Sequence, residues 1–201
     1  MLKRCVSLLV VVLFVLGLWR TWQTAQTVAR VRQFQPMVEA ALNKENSSLD
    51  SDLVLAIIYT ETKGQGQDIM QASESLTGQV DSLASPQASV AHGVKTLNNY
   101  YLHSQESGVD EWTAVQAYNF GGAYINYVAE NGQKTSLDLA RAYSRDVVAP
   151  SLGNSKGETY SYWTPISIFH GAELYRDGGN YFYANQVRLN LDVIRFFERF
   201  S

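Results

Sequence analysis

Residues 59–75 read YTETKGQGQDIMQASES, and this stretch brings a carboxylate from an apolar helix into a polar turn. The preceding residues 53–58 are all apolar and predict a buried helix, which Gly64 is placed to terminate. Ile57 and Glu61 are four residues apart, so they share one face of that helix. Glu61 therefore lies on the buried face of the helix, at its C-terminal end.

The position of Glu61 suits a general acid. Partial burial disfavours the charged carboxylate, and the negative end of the helix dipole repels it, so both effects raise its pKa. A carboxyl group with a raised pKa still holds its proton near neutral pH, as proton donation to a leaving group requires. From this segment alone, a solvated glutamate in a frayed last turn is the preferred interpretation.

The N-terminal residues 1–22 predict a membrane segment. Two cationic residues precede 15 uncharged ones, and residues 2–22 in a helix span about 31 Å, enough for a hydrocarbon core of about 30 Å. A cleaved signal peptide is the alternative, in which case the protein is secreted. A retained anchor is favoured because the best small-x-small site, residues 27–29, lies ten residues beyond Trp19.

This anchor defines the expected domains and location. Residues 23–35 are polar and are interpreted as a stalk, and residues 36–201 form the folded domain. Lys3 and Arg4 keep the short N-terminus inside the cell, so the rest of the chain is expected outside, held at the cell membrane through residues 1–22.

Charge is distributed unevenly along the chain. Five of the 16 basic residues precede residue 33, whereas all 19 acidic residues follow it. Residues 33–201 therefore carry 11 basic against 19 acidic residues, a net charge of −8. Such a body disfavours nucleic acid as a partner and indicates a neutral substrate rather than an anionic polymer.

Cysteine and histidine give no sign of disulfide or metal chemistry. Cys5 lies in the N-terminal apolar segment, so the exported part contains no cysteine. His92, His103 and His170 lack the spacing of metal ligands, and no metal or other cofactor is expected. The core must then stabilise the domain alone, which a chain with 46% hydrophobic residues can achieve.

The exported body is predicted to be all-α. Apolar residues follow helical spacing between capping residues, glycines and prolines in several segments, and helices are expected over residues 36–42, 53–62, 86–101, 111–130, 137–148 and 181–199. No segment shows the sustained alternation of a strand. Residues 151–180, rich in glycine, serine and aromatic residues, are the longest predicted irregular region.

Four motifs follow one another along the chain: ETKG at 61–64, DIMQ at 68–71, QAYNFGG at 116–122 and YFYANQV at 181–187. Each is weak alone, but in this order they resemble the goose-type lysozyme and lytic transglycosylase superfamily, which cleaves peptidoglycan. They look most like its branch of wall antigens from Gram-positive bacteria. The resemblance covers about residues 36–195 and implies a lysozyme-like all-α domain behind one N-terminal transmembrane helix.

The resemblance implies roles for the matched residues. Glu61 corresponds to the catalytic acid/base. Met70 would lie beneath the cleft, and Gln71 would hydrogen-bond a sugar acetamido group or the backbone. Tyr118 and Asn119 would line the cleft floor.

Glycines and a late tyrosine complete the implied site. Gly121 and Gly122 would let the chain and the glycan approach closely. Tyr183 is the best match for a tyrosine whose hydroxyl points toward the acid, and Tyr181 is the alternative.

The number of carboxylates is open at this level. A two-carboxylate glycosidase needs a separation of about 5–5.5 Å to retain configuration or about 6.5–9.5 Å to invert it, and Asp68 and Glu74 are the nearby candidates. Glu74, flanked by Ser73, could also bind sugar, position water or simply cap a helix. The superfamily implies a single-glutamate route, in which the substrate's 2-acetamido group attacks the anomeric carbon.

The chain departs from the superfamily pattern at three positions. Thr62 replaces the usual serine, Lys63 a small residue and Asp68 a glycine. An ammonium group near Glu61 would oppose the upward pKa shift, although screening makes this effect small if Lys63 faces solvent. These departures bear on the groups that bind the acetamido substituent more than on the identity of the acid.

The aromatic residues of the C-terminal third allow two roles. Half of them are expected in the core and the others as a glycan-stacking wall; the set is Tyr160, Tyr162, Trp163, Tyr175, Tyr181, Phe182 and Tyr183. The leading hypothesis is a monomeric muramidase that cuts the β-1,4 bond between N-acetylmuramic acid and N-acetylglucosamine. A noncatalytic peptidoglycan-binding protein and an adaptor in a division or secretion complex are the alternatives.

Overall fold

The computed structural model describes residues 2–73, 83 and 85–199. Over these ranges the fold is mostly helical, and its helices are α1 (Leu2–Arg32), α2 (Gln35–Lys44), α3 (Ser51–Thr62), α4 (Pro86–Glu106), α5 (Glu111–Phe120), α6 (Ala123–Glu130), α7 (Leu137–Tyr143), α8 (Ala149–Ser151) and α9 (Tyr183–Glu198). The mostly helical class predicted from the sequence is confirmed.

Two of the predicted helices are interrupted. The segment predicted as one helix over residues 111–130 forms α5 and α6, because Gly121 between them has φ 85° and ψ 162°, a conformation that strongly favours glycine. In the segment predicted as one helix over residues 137–148, α7 is followed directly by a π-helix, Ser144–Val148. It then continues into α8, so Pro150 lies in the first turn of a helix rather than beyond its end.

The region predicted to be irregular, residues 151–180, contains a short hairpin. Strand β1 (Thr159–Ser161) pairs antiparallel with β2 (Glu173–Tyr175), and Tyr160 lies opposite Leu174. A 3₁₀ helix, Ser167–His170, lies in the connection between the strands. Strands of three residues are too short to show the alternation that reveals a strand in a sequence.

The main core surrounds α3. All six side chains of residues 53–58 are buried, and α3 packs against α1, α2 and α9. A helix that is apolar on every side is stable in water only when other elements cover it completely. This packing fixes the direction in which the C-terminal end of α3 presents Glu61.

The C-terminal part of α1 belongs to the same core. Val28 and Val31 are buried there, and Arg32 forms ion pairs with Asp52 at 2.8 Å and with Glu198 at 2.9 Å. The folded core therefore begins within residues 23–35, the segment that the sequence analysis interprets as a stalk.

The N-terminal part of α1 presents large apolar side chains to solvent, from Leu9 to Trp22. Within the described ranges, however, no helix combines the length and the apolarity needed to cross a membrane. The prediction of a transmembrane anchor over residues 1–22 is therefore not supported.

A second, more aromatic cluster of buried residues covers the opposite side of α5. It joins Tyr124 of α6 and Tyr143 of α7 to Tyr181 and Phe182, the two residues before α9. The next residue, Tyr183, is buried against the main core. The chain therefore passes from the second cluster into the main core at the start of α9.

Candidate active site

Helix α3 ends at the candidate acid. It begins where the Asp50 carboxylate accepts a hydrogen bond from the backbone N–H of Asp52 at 2.9 Å. It ends because Lys63 adopts a left-handed conformation with φ 57°, one residue before the predicted terminator Gly64. Glu61 lies in the last turn and is partly exposed, so its carboxyl group stands at the edge of the core.

The carboxyl group of Glu61 is held by a buried tyrosine. The Tyr183 hydroxyl donates a hydrogen bond to Glu61 Oε1 at 2.5 Å. Burial raises the pKa of Glu61 to about 7; the hydrogen bond from Tyr183 lowers it, and the negative charge of Asp68 raises it. Glu61 is therefore substantially protonated near neutral pH, and because Oε1 accepts from Tyr183, its proton resides on Oε2.

Two parallel tyrosine rings line the carboxyl group. The Tyr118 and Tyr183 rings stack with centroids 6.4 Å apart and planes inclined by 16°. Burial, and next the charge of Glu61, raise the pKa of both phenols well above the ordinary value of 10.0. Both hydroxyl groups therefore keep their protons and act as hydrogen-bond donors.

Asp68 organises the turn that follows α3. Its buried carboxylate accepts hydrogen bonds from the Ser89 hydroxyl at 2.6 Å and from the backbone N–H groups of Ala72 at 2.9 Å and Ser73 at 3.0 Å. Burial alone would raise the pKa of Asp68, but the hydrogen bonds from Ser73, Ser89 and Ala72 outweigh it and lower the pKa. A carboxylate engaged in this way acts as a structural anion.

The turn is also tied to both of its neighbours. The Thr62 hydroxyl donates to the carbonyl of Ile69 at 2.9 Å, and the Tyr118 hydroxyl donates to the carbonyl of Met70 at 3.0 Å. Gln71 has a left-handed backbone with φ 49°, and it is exposed. A left-handed glutamine costs on the order of 1 kcal/mol, a strain that the surrounding hydrogen bonds sustain.

Gly93 of α4 is a site residue that the sequence analysis missed. A Cβ atom at this position would lie 2.7 Å from Met70 Sδ and 2.8 Å from Tyr118 Oη. The absence of a side chain therefore lets α4 approach the two residues that shape the floor of the site. The sequence signal was a glycine in the interior of a helix, which otherwise costs stability.

Asn180 and Gln116 were also missed, and together they position the start of α9. Gln116 is buried; its Nε2 donates to the carbonyl of Asn180 at 2.9 Å, and its Oε1 accepts from the N–H of Ala184 at 3.0 Å. The N–H of Asn180 donates to Asn119 Oδ1 at 2.7 Å. Since Ala184 follows Tyr183 directly, these hydrogen bonds fix the position of Tyr183, the residue that holds Glu61.

The remaining predicted residues fall in different environments. Asn119 is exposed beside Tyr118, and Gly121 is partly exposed at the end of α5. Ser73 is buried with 1% of its surface accessible, and its N–H supports Asp68. Glu74 lies outside the described residues.

The seven aromatic residues of the C-terminal third fall into three groups: three are buried, two are exposed, and Tyr162 and Tyr175 are half-buried against the second cluster. Tyr181, Phe182 and Tyr183 are buried, whereas Tyr160 is 43% exposed and Trp163 73% exposed. The Tyr181 hydroxyl donates to the carbonyl of Glu173 at 2.5 Å, so it does not contact Glu61. Of the two tyrosines that the sequence left open, Tyr183 is the one bound to the acid.

The described residues contain no group of three or more histidine, cysteine, aspartate or glutamate side chains arranged to hold a metal ion. The chemistry that the site can support with its own groups is proton transfer. It combines one carboxyl group with a pKa near 7, two phenol donors and an exposed amide in a strained turn.

A mostly helical domain with a protonatable glutamate at the end of a buried helix fits a lysozyme-like protein, and comparison with known families shows this class. The model of the lysozyme-like family matches residues 28–191, so the chain belongs to this family. The resemblance inferred from the four sequence motifs is thereby confirmed.

Several individual relatives are known. The chain is 49% identical over 201 residues to pneumococcal vaccine antigen A of Streptococcus pneumoniae serotype 4, covering 100% of this chain and 98% of that one. It is 48% identical over 200 residues to the antigen A homolog of Streptococcus pyogenes serotype M1, with the same two coverages.

More distant relatives include an enzyme and a solved structure. The chain is 31% identical over 124 residues to the bifunctional muramidase/DL-endopeptidase CwlT of Bacillus subtilis, covering 62% of this chain and 37% of CwlT. A crystal structure of a protein similar to a lipoprotein of the NLP/P60 family, from Staphylococcus aureus, superposes with a TM-score of 0.73 at 31% identity. That likeness covers 81% of this chain and 52% of the staphylococcal chain.

Proposed function

We propose that this protein is a muramidase that cleaves the β-1,4 bond between N-acetylmuramic acid and N-acetylglucosamine in peptidoglycan. The observation that carries the proposal is the hydrogen bond from buried Tyr183 to Glu61, a carboxyl group whose pKa is raised to about 7. Membership of the lysozyme-like family and the similarity to the muramidase CwlT support it. The proposed place of action is outside the cell, where peptidoglycan lies.

The proposed mechanism uses one carboxyl group. Glu61 transfers its proton from Oε2 to the glycosidic oxygen, and the C–O bond to the leaving sugar breaks. The substrate's own 2-acetamido oxygen forms a bond to the anomeric carbon and stabilises its positive charge. Asp68 takes no covalent part, because its carboxylate already accepts hydrogen bonds from Ala72 and Ser73 in the turn that it stabilises and from Ser89 of α4.

The ionised Glu61 then acts as a base. It removes a proton either from water, which gives a reducing end, or from the C6 hydroxyl of the same sugar, which gives a 1,6-anhydro end. In both cases oxygen attack at the anomeric carbon breaks its bond to the acetamido oxygen and regenerates the acetamide. Tyr183 stabilises the carboxylate in this step, since its hydroxyl donates to Oε1.

The full chain acting on purified sacculi is expected to release soluble muropeptides. The rate of the proton-donation step is expected to fall as the pH rises above about 7. The direction follows because the reactive form of Glu61 is the protonated one, and this form is lost above its pKa of about 7. Mass spectrometry of the products over pH 5–9 identifies the bond that is cut. It also measures the pH limb, that is, the range of pH over which the rate of product release falls.

Reducing N-acetylmuramic acid ends identify a hydrolase of the proposed bond, and 1,6-anhydro-N-acetylmuramic acid ends, lighter by one water, identify a lytic transglycosylase; either outcome supports the proposal, whereas reducing N-acetylglucosamine ends would contradict it. Release of stem peptides with intact glycan strands would contradict it. So would the absence of soluble products under conditions in which a known lysozyme digests the same sacculi.

The Tyr183→Phe variant is expected to move the pH limb of turnover to higher pH and to lower the maximal rate by roughly ten- to a hundredfold. The hydrogen bond from Tyr183 lowers the pKa of Glu61, so its loss leaves burial and Asp68 to raise that pKa further. The carboxyl group also loses the contact that orients it, which accounts for the lower rate.

Tyr181→Phe is the matched control for this experiment. It removes a hydroxyl group two residues away that donates to the carbonyl of Glu173 instead of to Glu61. The control should leave the pH limb where it is. A limb that moves equally in both variants would show that the shift comes from a general loosening of the start of α9.

A further inference from the structure

Tyr162 stands immediately beyond β1, where the fold holds its ring beside the start of α9. The N–H of Tyr162 donates to the carbonyl of Ala172 at 2.7 Å and so continues the hairpin ladder. Its ring stacks on that of Phe182 with centroids 6.2 Å apart and planes inclined by 14°. Phe182 directly precedes Tyr183, so the Tyr162 ring is fixed close to the residue that holds Glu61.

A chain of hydrogen bonds determines the orientation of the groups around the Tyr162 hydroxyl. The backbone N–H of Phe182 can only donate, and it donates to Asn180 Oδ1 at 3.0 Å. Asn180 must therefore turn Nδ2 toward Gln186 Oε1, at 2.9 Å, and toward the Tyr162 oxygen, at 3.2 Å. Because Gln186 Oε1 accepts, Gln186 Nε2 must donate to the Tyr162 oxygen, at 2.8 Å.

The Tyr162 oxygen thus accepts two hydrogen bonds from groups that cannot accept one in return. No described residue accepts the hydrogen of the Tyr162 hydroxyl in these contacts. The phenols of Tyr118 and Tyr183 differ, because they donate to the Met70 carbonyl and to Glu61. The hydroxyl hydrogen of Tyr162 is therefore directed away from the network, and the half-buried position of the residue leaves it to solvent or to a ligand.

The groups that contact this hydroxyl are uncharged and suit a neutral acceptor on a ligand that also has an apolar face. Tyr160 precedes Tyr162 by two residues, which places both on one side of the strand, and it is 43% exposed. Asn180 and Gln186 are neutral amides. Gln186 follows Tyr183 by three residues on α9, so it lies one turn along the same helix face from the tyrosine that holds Glu61.

We propose that Tyr160 and Tyr162 form a sugar subsite next to the start of α9, the helix whose Tyr183 holds Glu61, in which the Tyr162 hydroxyl donates to the acetamido carbonyl of an N-acetylated sugar. An amide carbonyl is the strongest neutral acceptor that such a sugar presents. The C–H face of the ring packs on Tyr160. This inference deepens the proposed muramidase function and rests on it for the choice of a glycan as ligand.

The test compares two neutral glycans in the Glu61→Gln background, where the ligand stays intact. A β-1,4-linked N-acetylglucosamine hexamer carries the acetamido carbonyl, and a β-1,4-linked glucose hexamer lacks it. Adding Tyr162→Phe should weaken binding of the N-acetylated hexamer by about fivefold to tenfold, the usual effect of one neutral hydrogen bond. Binding of the glucose hexamer, measured by calorimetry, should change by less than about twofold.

A second variant removes the donor while keeping the tyrosine. Gln186→Glu places a carboxylate that can only accept beside the Tyr162 oxygen, so the hydroxyl turns inward and donates to it. The same selective loss of affinity for the N-acetylated hexamer is expected. Tyr127→Phe, which removes a phenol hydroxyl from α6, serves as the matched control and should leave both affinities unchanged.

The outcomes separate the subsite from the muramidase function. Equal weakening for both hexamers in Tyr162→Phe and Gln186→Glu would assign the network a purely structural role and overturn the subsite. Unchanged affinity for the N-acetylated hexamer in both variants would overturn it as well. Turnover of sacculi by the unmodified chain is measured in parallel, so a failure of the muramidase proposal is visible independently of these affinities.

Discussion

The Glu61→Gln variant is expected to lose peptidoglycan turnover by about 10²- to 10⁴-fold, the range that a positioned general acid supplies, while it still binds glycan. Glutamine has the shape of the protonated acid, and its side-chain oxygen can accept the hydrogen bond that Tyr183 now donates to Glu61 at 2.5 Å. It has no proton to give to the glycosidic oxygen. Release of soluble muropeptides measures the loss, and binding of the N-acetylglucosamine hexamer shows that the site is intact.

Glu130→Gln is the matched control for this result, because Glu130 is an exposed glutamate that also ends a helix. This control should retain full turnover. Turnover by Glu61→Gln within about tenfold of the unmodified chain would remove Glu61 from the acid's role. The noncatalytic alternative makes its own prediction, namely that the unmodified chain and Glu61→Gln are equally inactive and bind sacculi equally well.

The same substitution should stabilise the fold at pH 8. The pKa of Glu61 is raised from 4.5 to about 7 in the folded protein, so the folded state binds a proton more tightly than the unfolded chain. The stability that this proton provides is complete below pH 4.5 and is lost as the pH rises through 7. Glutamine does not ionise, so the variant avoids this loss, on the order of 3 kcal/mol at pH 8 before correction for partial exposure.

Part of the site could be predicted from the sequence because it depends on local periodicity. The apolar residues 53–58 and the spacing from Ile57 to Glu61 predict a carboxyl group at the end of a buried helix. In the structure burial is the largest cause of the raised pKa of Glu61. The motif order also pointed to Tyr183, because the resemblance supplied a tyrosine near the acid that the spacing of residues alone could not supply.

Other parts depend on contacts between residues distant in sequence, and no local pattern reveals them. Asn180 connects to Gln116 and Asn119 across more than 60 positions, and each of these bonds uses a backbone group of Asn180. The separation of α5 from α6 at Gly121 was missed for a different reason. The helical spacing of apolar residues persists on both sides of the break, while the φ of 85° at one glycine redirects the chain.

The structure gives Asp68 a different role from Glu61. Both lie on the segment of residues 59–75, and the sequence left Asp68 open as a second catalytic carboxylate. Its oxygens are occupied by the hydrogen bonds from Ser89, Ala72 and Ser73, which lower its pKa below the ordinary value of 3.8. The two carboxyl groups are therefore shifted in opposite directions, one toward holding a proton and the other toward staying charged.

The Asp68→Asn variant is accordingly expected to lose about 3 kcal/mol of folding free energy at neutral pH. An amide has only one acceptor oxygen, so the backbone N–H of Ser73, which donates to the other oxygen of Asp68, loses its partner, and the remaining donors lose a charged one. The stability supplied by the ionised carboxylate is complete above pH 3.8 and is lost as the pH falls through the lower pKa of the folded state. Urea unfolding at pH 7 and at successively lower pH below 3.8 should therefore show the difference from the unmodified chain shrinking with acid.

The rate of peptidoglycan turnover by the folded fraction of Asp68→Asn shows whether Asp68 takes part in the chemistry. The turn that carries Gln71 is also held by Thr62 through the Ile69 carbonyl and by Tyr118 through the Met70 carbonyl. The folded variant should therefore keep its rate within about tenfold, with Asp192→Asn, at an exposed position of α9, as the control for charge. A second catalytic carboxylate would instead cost turnover as severely as Glu61→Gln does, even at a temperature where the variant is fully folded.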